Sequence, residues 1–420
     1  MISKPPGIED RFPDRIAAWS LITGAARDVF RIYNYREIMP PVMEFTEVFV
    51  RGLGRESDIV SKEMFTFEDR GGRSLTLRPE GTAGVVRAYI ENGEYNRRAT
   101  SKLFYVGPMF RAERPQKGRL RQFYQFGAEL FGGSDPFYDF EIISMMDMIS
   151  KRVGIDDYTL LVNSIGCASC RKEFVKALAR YYTGMKDLLC KDCVVRLERN
   201  PLRLLDCKQD SCQPLKKDSP KITAYLDEEC RSHYESVKKY LSDNKISFKE
   251  DPLLVRGLDY YTKTTFEFVT TKLGGQNAFA AGGRYDNLVE EFGGRTTPAV
   301  GFAAGIERME ILLENKKMAA HGLDVFIVHA GGEALNKAAS TCGLLRQSGL
   351  SADMDPAAKG FKAQLKKADR DKAALALIIG EDELAAGSIT VKDLKTGEQE
   401  KVKEDAIIDY LKAKLGRSHP

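Results

Sequence analysis

Histidine is scarce in this chain. The four residues, His233, His321, His329 and His419, all lie in the second half. A histidine general base is therefore missing from the first 232 positions, which weighs against Ser-His-Asp chemistry centred there. No GxxxxGK[ST] loop occurs, so phosphate groups would have to be met by arginines. No apolar run approaches the ~20 residues of a membrane span. The N-terminal MISKPPGIEDRFPD lacks the apolar centre of a signal peptide. Internal repeats and low-complexity tracts are absent too. These absences predict a cytosolic (cytoplasmic) protein without a membrane partner, in which the eight cysteines are thiols or metal ligands before they are disulfides.

At 420 residues the chain is long for one core, and two or three domains are expected. The formal charge of +4 allows RNA as a partner without requiring it, because a local basic stripe matters more than the total. One such stripe stands out. Leu103–Phe110 is rich in aromatic and β-branched residues, and Gln122–Phe131 alternates with period two, so the two predict a hairpin. Phe123, Gln125, Gly127 and Glu129 fall on one face of the second strand, with Tyr124, Phe126, Ala128 and Leu130 on the other. A Gln and a Glu separated by a Gly form a floor suited to a small amine-bearing ligand. The connecting loop carries Arg111, Glu113, Arg114, Lys117, Arg119 and Arg121, which suits an anion such as a nucleotide.

The same stretch, FRAERPQKGRLRQFYQFGAE (Phe110–Glu129), resembles motif 2 of class II aminoacyl-tRNA synthetases and is closest to the histidyl-tRNA synthetase family. Other segments carry the same resemblance. EIMPPVMEF (Glu37–Phe45), read as a strand broken by Pro40-Pro41, is similar to motif 1, which in the class supports a homodimer interface. Two alternating strands around Gly71-Gly72 lead into Arg78-Pro79-Glu80-Gly81-Thr82 and then a helix. There Thr82 is a candidate N-cap, and Glu80 either complements the helix dipole or, as the resemblance implies, joins Gly81 and Thr82 in holding an amino acid's α-ammonium. LVRGLDYYTKTTFEFV (Leu254–Val269) and AGGRYDNLVEEFGG (Ala281–Gly294) resemble the two histidine-specific motifs. TPAVGFAAGIERMEILL (Thr297–Leu313) resembles motif 3, with Arg308 early in its helix.

The resemblance implies an ATP-dependent histidine–tRNA ligase. Arg111 and Arg256 would serve the reaction centre at the α-phosphate and carboxylate, and Arg308 the γ-phosphate of ATP. Gln125 and Glu129 would bind the amino acid, with Glu129 hydrogen-bonded to the imidazole, and Tyr260, Tyr261 and Tyr285 would shape the imidazole pocket. Arg114 and Gln116 are candidates for the acceptor end of tRNA(His). ATP with Mg²⁺ and L-histidine are the implied small substrates. Two departures from the family's usual wording, Ala112 and Tyr124 where histidines are common, fall outside these contacts.

Residues 167–250 hold seven of the eight cysteines in charge-rich helical sequence and read as an insertion. Cys167-x-x-Cys170 and Cys190-x-x-Cys193 have the spacing of a four-cysteine zinc site, with Cys207 and Cys212 as competing ligands and buried, unligated thiols as the alternative. From Leu323 an α/β alternation begins, with the continuous apolar run Ala374–Ile379 as its parallel-strand signal. Lys359, Lys362, Lys366 and Lys367 fall on its second helix. This part is similar to the anticodon-binding domain of class II synthetases. The expected fold is thus an α+β catalytic domain, residues 1–320, with a mixed, largely antiparallel sheet and a helical insertion at about 167–250. A C-terminal α/β domain, residues 323–420, follows it. Two other readings share features: a catalytically silent regulatory subunit of ATP phosphoribosyltransferase, and a synthetase for proline, threonine or glycine. The retained arginines and C-terminal domain weigh against the first, and Arg256–Tyr261 weighs against the second.

Overall fold

Alternating apolar and polar residues give the chain its main sheet, eight strands wide. Its order is Arg36–Glu37, Ser101–Phe110, Gln122–Phe131, Ala299–Gly305, Ala278–Arg284, Thr262–Val269, Thr159–Ser164 and Lys249–Glu250. The six inner strands pair antiparallel and the two short edge strands pair parallel, so the sheet is mixed and largely antiparallel. The computed structural model describes residues 2–54, 57–274, 277–314, 322–357 and 360–417. It divides into two units, Met1–Lys317 and Met318–Pro420.

In the first unit the period-two pattern works as the sequence suggests. Phe126, Ala128 and Leu130 enter a core with Phe104, Phe266, Phe268 and Phe302, closed by the helices Pro13–Ile32 and Pro136–Val153. Asp135 caps the second helix by accepting from Phe137 N–H at 2.8 Å. The hairpin spans Ser101–Phe110 and Gln122–Phe131. A small three-stranded sheet, with Ser74–Leu77 between Met43–Phe45 and Phe65–Glu68, stands apart from it.

Three local expectations change. The 3–4 spacing of Phe12, Ile16, Trp19, Ile22, Ala26 and Phe30 predicts a helix over residues 9–35, but the helix begins at Pro13, since proline is accommodated at N1, where its missing N–H costs no helical bond. Phe12 consequently falls off the apolar stripe and is 71% exposed. Residues before it run along the hairpin loop, where the Gly7 carbonyl accepts from Arg121 N–H at 2.7 Å. The proline-broken segment becomes two short strands in different sheets, Arg36–Glu37 and Met43–Phe45. In the expected insertion, the last helix, Glu228–Asp243, packs Tyr234, Val237 and Leu241 into the main core instead. A separate small core is left around Cys170, Phe174, Leu178, Cys193, Cys207 and Cys212.

The second unit is a five-stranded sheet in the order Ala352–Met354, Val325–His329, Leu375–Ile379, Ser388–Asp393 and Gln399–Lys403. The first three strands are parallel, as the run Ala374–Ile379 predicts, and the last two form an antiparallel hairpin. Lys362 and Lys366 are exposed on the helix Phe361–Arg370, whereas Lys359 lies outside the described residues. No helix among the described residues is long and apolar enough to cross a membrane.

Candidate active site

On the face of the main sheet opposite the core, a cavity of about 700 Å³ is lined by residues from each of the synthetase-like catalytic segments except Glu37–Phe45. Its size suits a nucleotide together with a small molecule. Glu80, Thr82, Arg111, Gln125, Glu129, Arg256, Tyr260, Tyr261, Tyr285 and Arg308 all reach it from segments far apart in sequence. Arg114 and Gln116 do not line it. Both lie on the hairpin loop, where Gln116 and Arg119 close a tight turn.

Glu129 lies fully buried at the cavity floor. The Thr82 hydroxyl donates to its Oε1 at 2.6 Å and the Tyr285 hydroxyl to its Oε2 at 2.5 Å. Burial nevertheless pushes its pKa up to about 8, and nearby Glu80 adds to the rise against those two hydrogen bonds. Without a cation beside it, this carboxylate is held at a cost. Gly301 on the neighbouring strand pairs opposite Glu129, and a Cβ there would overlap Glu129 Oε2. Glycine is needed at that position for space.

Helix capping differs from expectation. The helix is Thr82–Glu91, with Gly81 at the N-cap position, so Thr82 is already inside it. Glu80 is the capping group. Its two oxygens accept from Thr82 N–H at 2.8 Å and Ala83 N–H at 2.7 Å. Because the hydroxyl proton of Thr82 goes to Glu129, its lone pairs remain for a donor in the cavity. Gln125 contributes a further acceptor, since its buried Oε1 has no partner among the described residues.

The arginines crowd one part of the cavity, where Arg119 pairs with Glu113 at 3.0 Å. Arg111 donates to the Pro79 carbonyl at 3.0 Å and lies 5.3 Å over the Phe123 ring. Arg308 donates to the carbonyls of Gly118 at 3.3 Å and Ala278 at 2.5 Å. Burial, then the like charges of Arg119 and Arg111, pull the Arg308 pKa down to about 10. Arg256 differs. Burial acts against its charge, but the ion pair with Glu267 more than offsets this and raises its pKa. Tyr260 lies tilted against Tyr261 with ring centres 4.6 Å apart and meets Tyr285 edge-on at 5.6 Å, giving an aromatic wall. Such a lining suits a cationic, aromatic-compatible small molecule beside a polyanion. Of the histidines described, His233 pairs with Asp139 and His329 with the Asp355 carbonyl, and neither lines the cavity.

Comparison with known proteins agrees. The histidyl-tRNA synthetase family model matches residues 7–309 and the anticodon-binding domain model matches residues 324–414. The chain is 47% identical over 413 residues to a histidine–tRNA ligase of Halothermothrix orenii, covering 98% of this chain and 99% of that one. It is 46% identical to the histidine–tRNA ligase of Bacillus subtilis, covering 97% and 98%. The apo S. aureus histidyl-tRNA synthetase superposes with a TM-score of 0.83 at 38% identity, covering 98% of this chain and 100% of that one. The chain belongs to the histidyl-tRNA synthetase family.

Within this synthetase chain, two positions depart from the family wording and both sit away from the cavity floor. Tyr124 turns to the core side, edge-on to Trp19 at 6.2 Å, with Arg11 5.3 Å over its ring. Ala112 is exposed and donates its N–H to the Glu63 carbonyl at 2.7 Å. Sequence reasoning missed Glu267, whose only signal was its place in an alternating strand, and also the contribution of the insertion. Arg203, Cys207, Gln213 and Lys216 line the cavity, and Arg203 donates to the Arg256 carbonyl at 3.4 Å and to Asp58 at 3.2 Å.

The cysteine expectation needs correcting. Cys167, Cys170, Cys190 and Cys193 do not form one site. Cys190 and Cys193 gather with Cys207 and Cys212, while Cys167 and Cys170 gather with Asp227 and Cys230. Each CxxC pair starts a different helix, Lys191–Arg199 or Ala168–Thr183, which keeps the pairs apart.

Proposed function

We propose that this chain is a histidine–tRNA ligase and that the cavity residues carry its two steps. The carrying observation is a buried carboxylate, Glu129, held by Thr82 and Tyr285 in a cavity shared with the mutually repelling Arg111, Arg119 and Arg308. L-Histidine and ATP, the latter with Mg²⁺ as part of the substrate, lie against these groups. Glu80, Thr82 and Gln125 accept from the α-ammonium beside Gly81. Glu129 accepts from the imidazole N–H, and Tyr260, Tyr261 and Tyr285 enclose the ring.

In the first step a carboxylate oxygen of histidine attacks the α-phosphorus of ATP. The bond from that phosphorus to the bridging oxygen breaks, and pyrophosphate leaves with the electron pair. Arg111 and Arg256 neutralise charge on the carboxylate and α-phosphate while Arg308 holds the γ-phosphate. Positioning and electrostatics suffice here, so no histidine base is required. In the second step the terminal ribose hydroxyl of tRNA(His) attacks the adenylate carbonyl and AMP departs. Arg114 and Gln116, on the hairpin loop, contact the acceptor end, and the second unit binds the anticodon.

We take the working form to be a homodimer in the cytoplasm. Supporting this, Met39, Met43 and Phe45 around the proline pair are 83%, 51% and 53% exposed, a poor use of apolar surface in a lone chain.

Amino-acid-dependent ATP–pyrophosphate exchange, run with each standard amino acid, tests the reading. Exchange with histidine alone is expected, and exchange with another amino acid overturns the aromatic pocket assignment. Arg256→Ala should reduce exchange by about 10²–10³-fold with tRNA binding retained. Near-normal exchange in that variant would sink its role.

A further inference from the structure

The insertion is poorly equipped to hold its shape. Between Pro201 and Tyr225 it consists of short 3-10 turns joined by loops, with no strand, and its small core is unusually rich in cysteine. Small cores of this kind generally need a staple. All eight cysteines are free thiols, so disulfides do not provide it.

The thiols are instead gathered into two sets. Cys190, Cys193, Cys207 and Cys212 place their sulfurs within 4.8 Å of one another, and Cys167, Cys170, Cys230 and a carboxylate oxygen of Asp227 do the same. Zinc–thiolate bonds of about 2.3 Å in a tetrahedron separate sulfurs by roughly 3.8 Å. Cys190 and Cys207 sulfurs lie 3.8 Å apart and those of Cys167 and Cys170 lie 3.5 Å apart, spacings too long for a disulfide. Backbone N–H groups already point at the sulfurs: Cys190 N to Cys212 Sγ at 3.3 Å, Gln209 N to Cys207 Sγ at 3.5 Å and Asp227 N to Cys170 Sγ at 3.2 Å. Cys190, Cys167 and Asp227 each occupy the N-cap of a helix, where partial positive charge favours anionic ligands. Asp227 caps with Oδ1, accepting from Cys230 N–H at 2.8 Å, and its Oδ2 lies 3.1 Å from Cys167 Sγ, turned toward the thiols. The buried Lys216 donates to the Cys207 carbonyl, placing a cation beside the four-thiolate set.

We propose that the insertion binds two structural zinc ions, one on Cys190, Cys193, Cys207 and Cys212 and one on Cys167, Cys170, Cys230 and Asp227. All-thiolate and three-thiolate tetrahedra select zinc over magnesium, calcium or manganese. The first ion closes the loop that carries Arg203, Cys207, Gln213 and Lys216 into the cavity wall.

Metal analysis of the full-length protein, purified reduced and without chelator, reads this directly. Two zinc ions per chain are expected, released on titration with a mercurial thiol reagent. Cys193→Ser and Cys230→Ser should each lower the count from two to one. Where a variant does not fold, cobalt substitution of the wild-type chain replaces it, and two equivalents of cobalt should show thiolate charge-transfer and tetrahedral d–d bands. Fewer than two zinc ions per chain after refolding with excess zinc, iron in place of zinc, or an unchanged count in both variants overturns the proposal. The result is independent of pyrophosphate exchange, so it stands or falls separately from the assigned activity.

Discussion

The eight-stranded sheet is packed on one face and open to a cavity over part of the other, whereas the five-stranded sheet is packed on both. In the second unit, Val325, Ile327, Leu375 and Leu377 face one set of helices, and Phe326, Val328 and Ala376 face the helix Phe361–Arg370. The two central strands, Val325–His329 and Leu375–Ile379, thus offer no open face among the described residues. In the first unit, Phe126, Ala128 and Leu130 build the core while the alternate residues Gln125 and Glu129 floor the cavity. Folding stability and function are thus divided between the two faces of a single strand. On the cavity face Arg256 is paired with Glu267, whereas Glu129 and Arg308 have no ion-pair partner among the described residues.

That contrast can be broken most directly at the arginines. Arg308→Met, which keeps much of the side chain's bulk, should lower histidine-dependent exchange by about 10²–10³-fold. Removing one of three mutually repelling cations should hold or raise the melting temperature of the empty enzyme. A large drop in melting temperature with normal exchange would make Arg308 a structural residue.

Glu129→Gln carries the same logic with a pH signature. The folded pKa near 8 lies above the ordinary carboxylate value, so the native state holds this proton more tightly than the unfolded chain does. Its contribution to stability is present below about pH 4.5 and is lost as pH rises through about 8. The variant should therefore melt higher than wild type at pH 8, by about 2–4 °C for each kcal/mol relieved, with the difference shrinking toward pH 5. Exchange should fall by about 10²-fold. Equal melting temperatures at both pH values would count against a carboxylate held at a cost.

In the packed sheet the expectation reverses. Leu377→Ala removes a fully buried side chain and should destabilise the second unit by about 2–5 kcal/mol, leaving exchange within about twofold of wild type. Loss of exchange there would show that the two units are not separable in function. The smallest effect concerns the insertion. Stripping metal with a chelator should raise the KM for histidine or ATP several-fold through the loosened Arg203–Lys216 wall, with a smaller change in kcat. An unchanged KM would confine the metals to local stability.

Much of this was legible because period-two and helical patterns report directly on which face is buried. The strand Gln122–Phe131, the helix after Gly305 and the alternation read from Leu323 all follow from pattern alone. Proline explains two misreadings, the start of the first helix and the split of Glu37–Phe45 between sheets. Each depended on where a missing N–H could be tolerated. Glu80 was named as a helix-end carboxylate, but its role as the cap in place of Thr82 depends on a turn geometry that sequence spacing does not specify. The cysteines were misgrouped because CxxC spacing identifies pairs and says nothing of which pairs meet.

By itself, then, the sequence determined the strands, the helices, the alternating faces and the residue types that chemistry at a phosphate and an amine requires. Those are local properties, set by backbone sterics and by which side chains water excludes. Tertiary structure alone decided that Glu80, Glu129, Tyr285 and the arginines share one cavity and that the seven insertion cysteines divide four and three. It also decided that Glu267 neutralises Arg256, while among the described residues Arg308 meets carbonyls and like charges instead. Those outcomes depend on contacts between residues tens to hundreds of positions apart, and the balance of charge in a buried site exists only once such contacts are made.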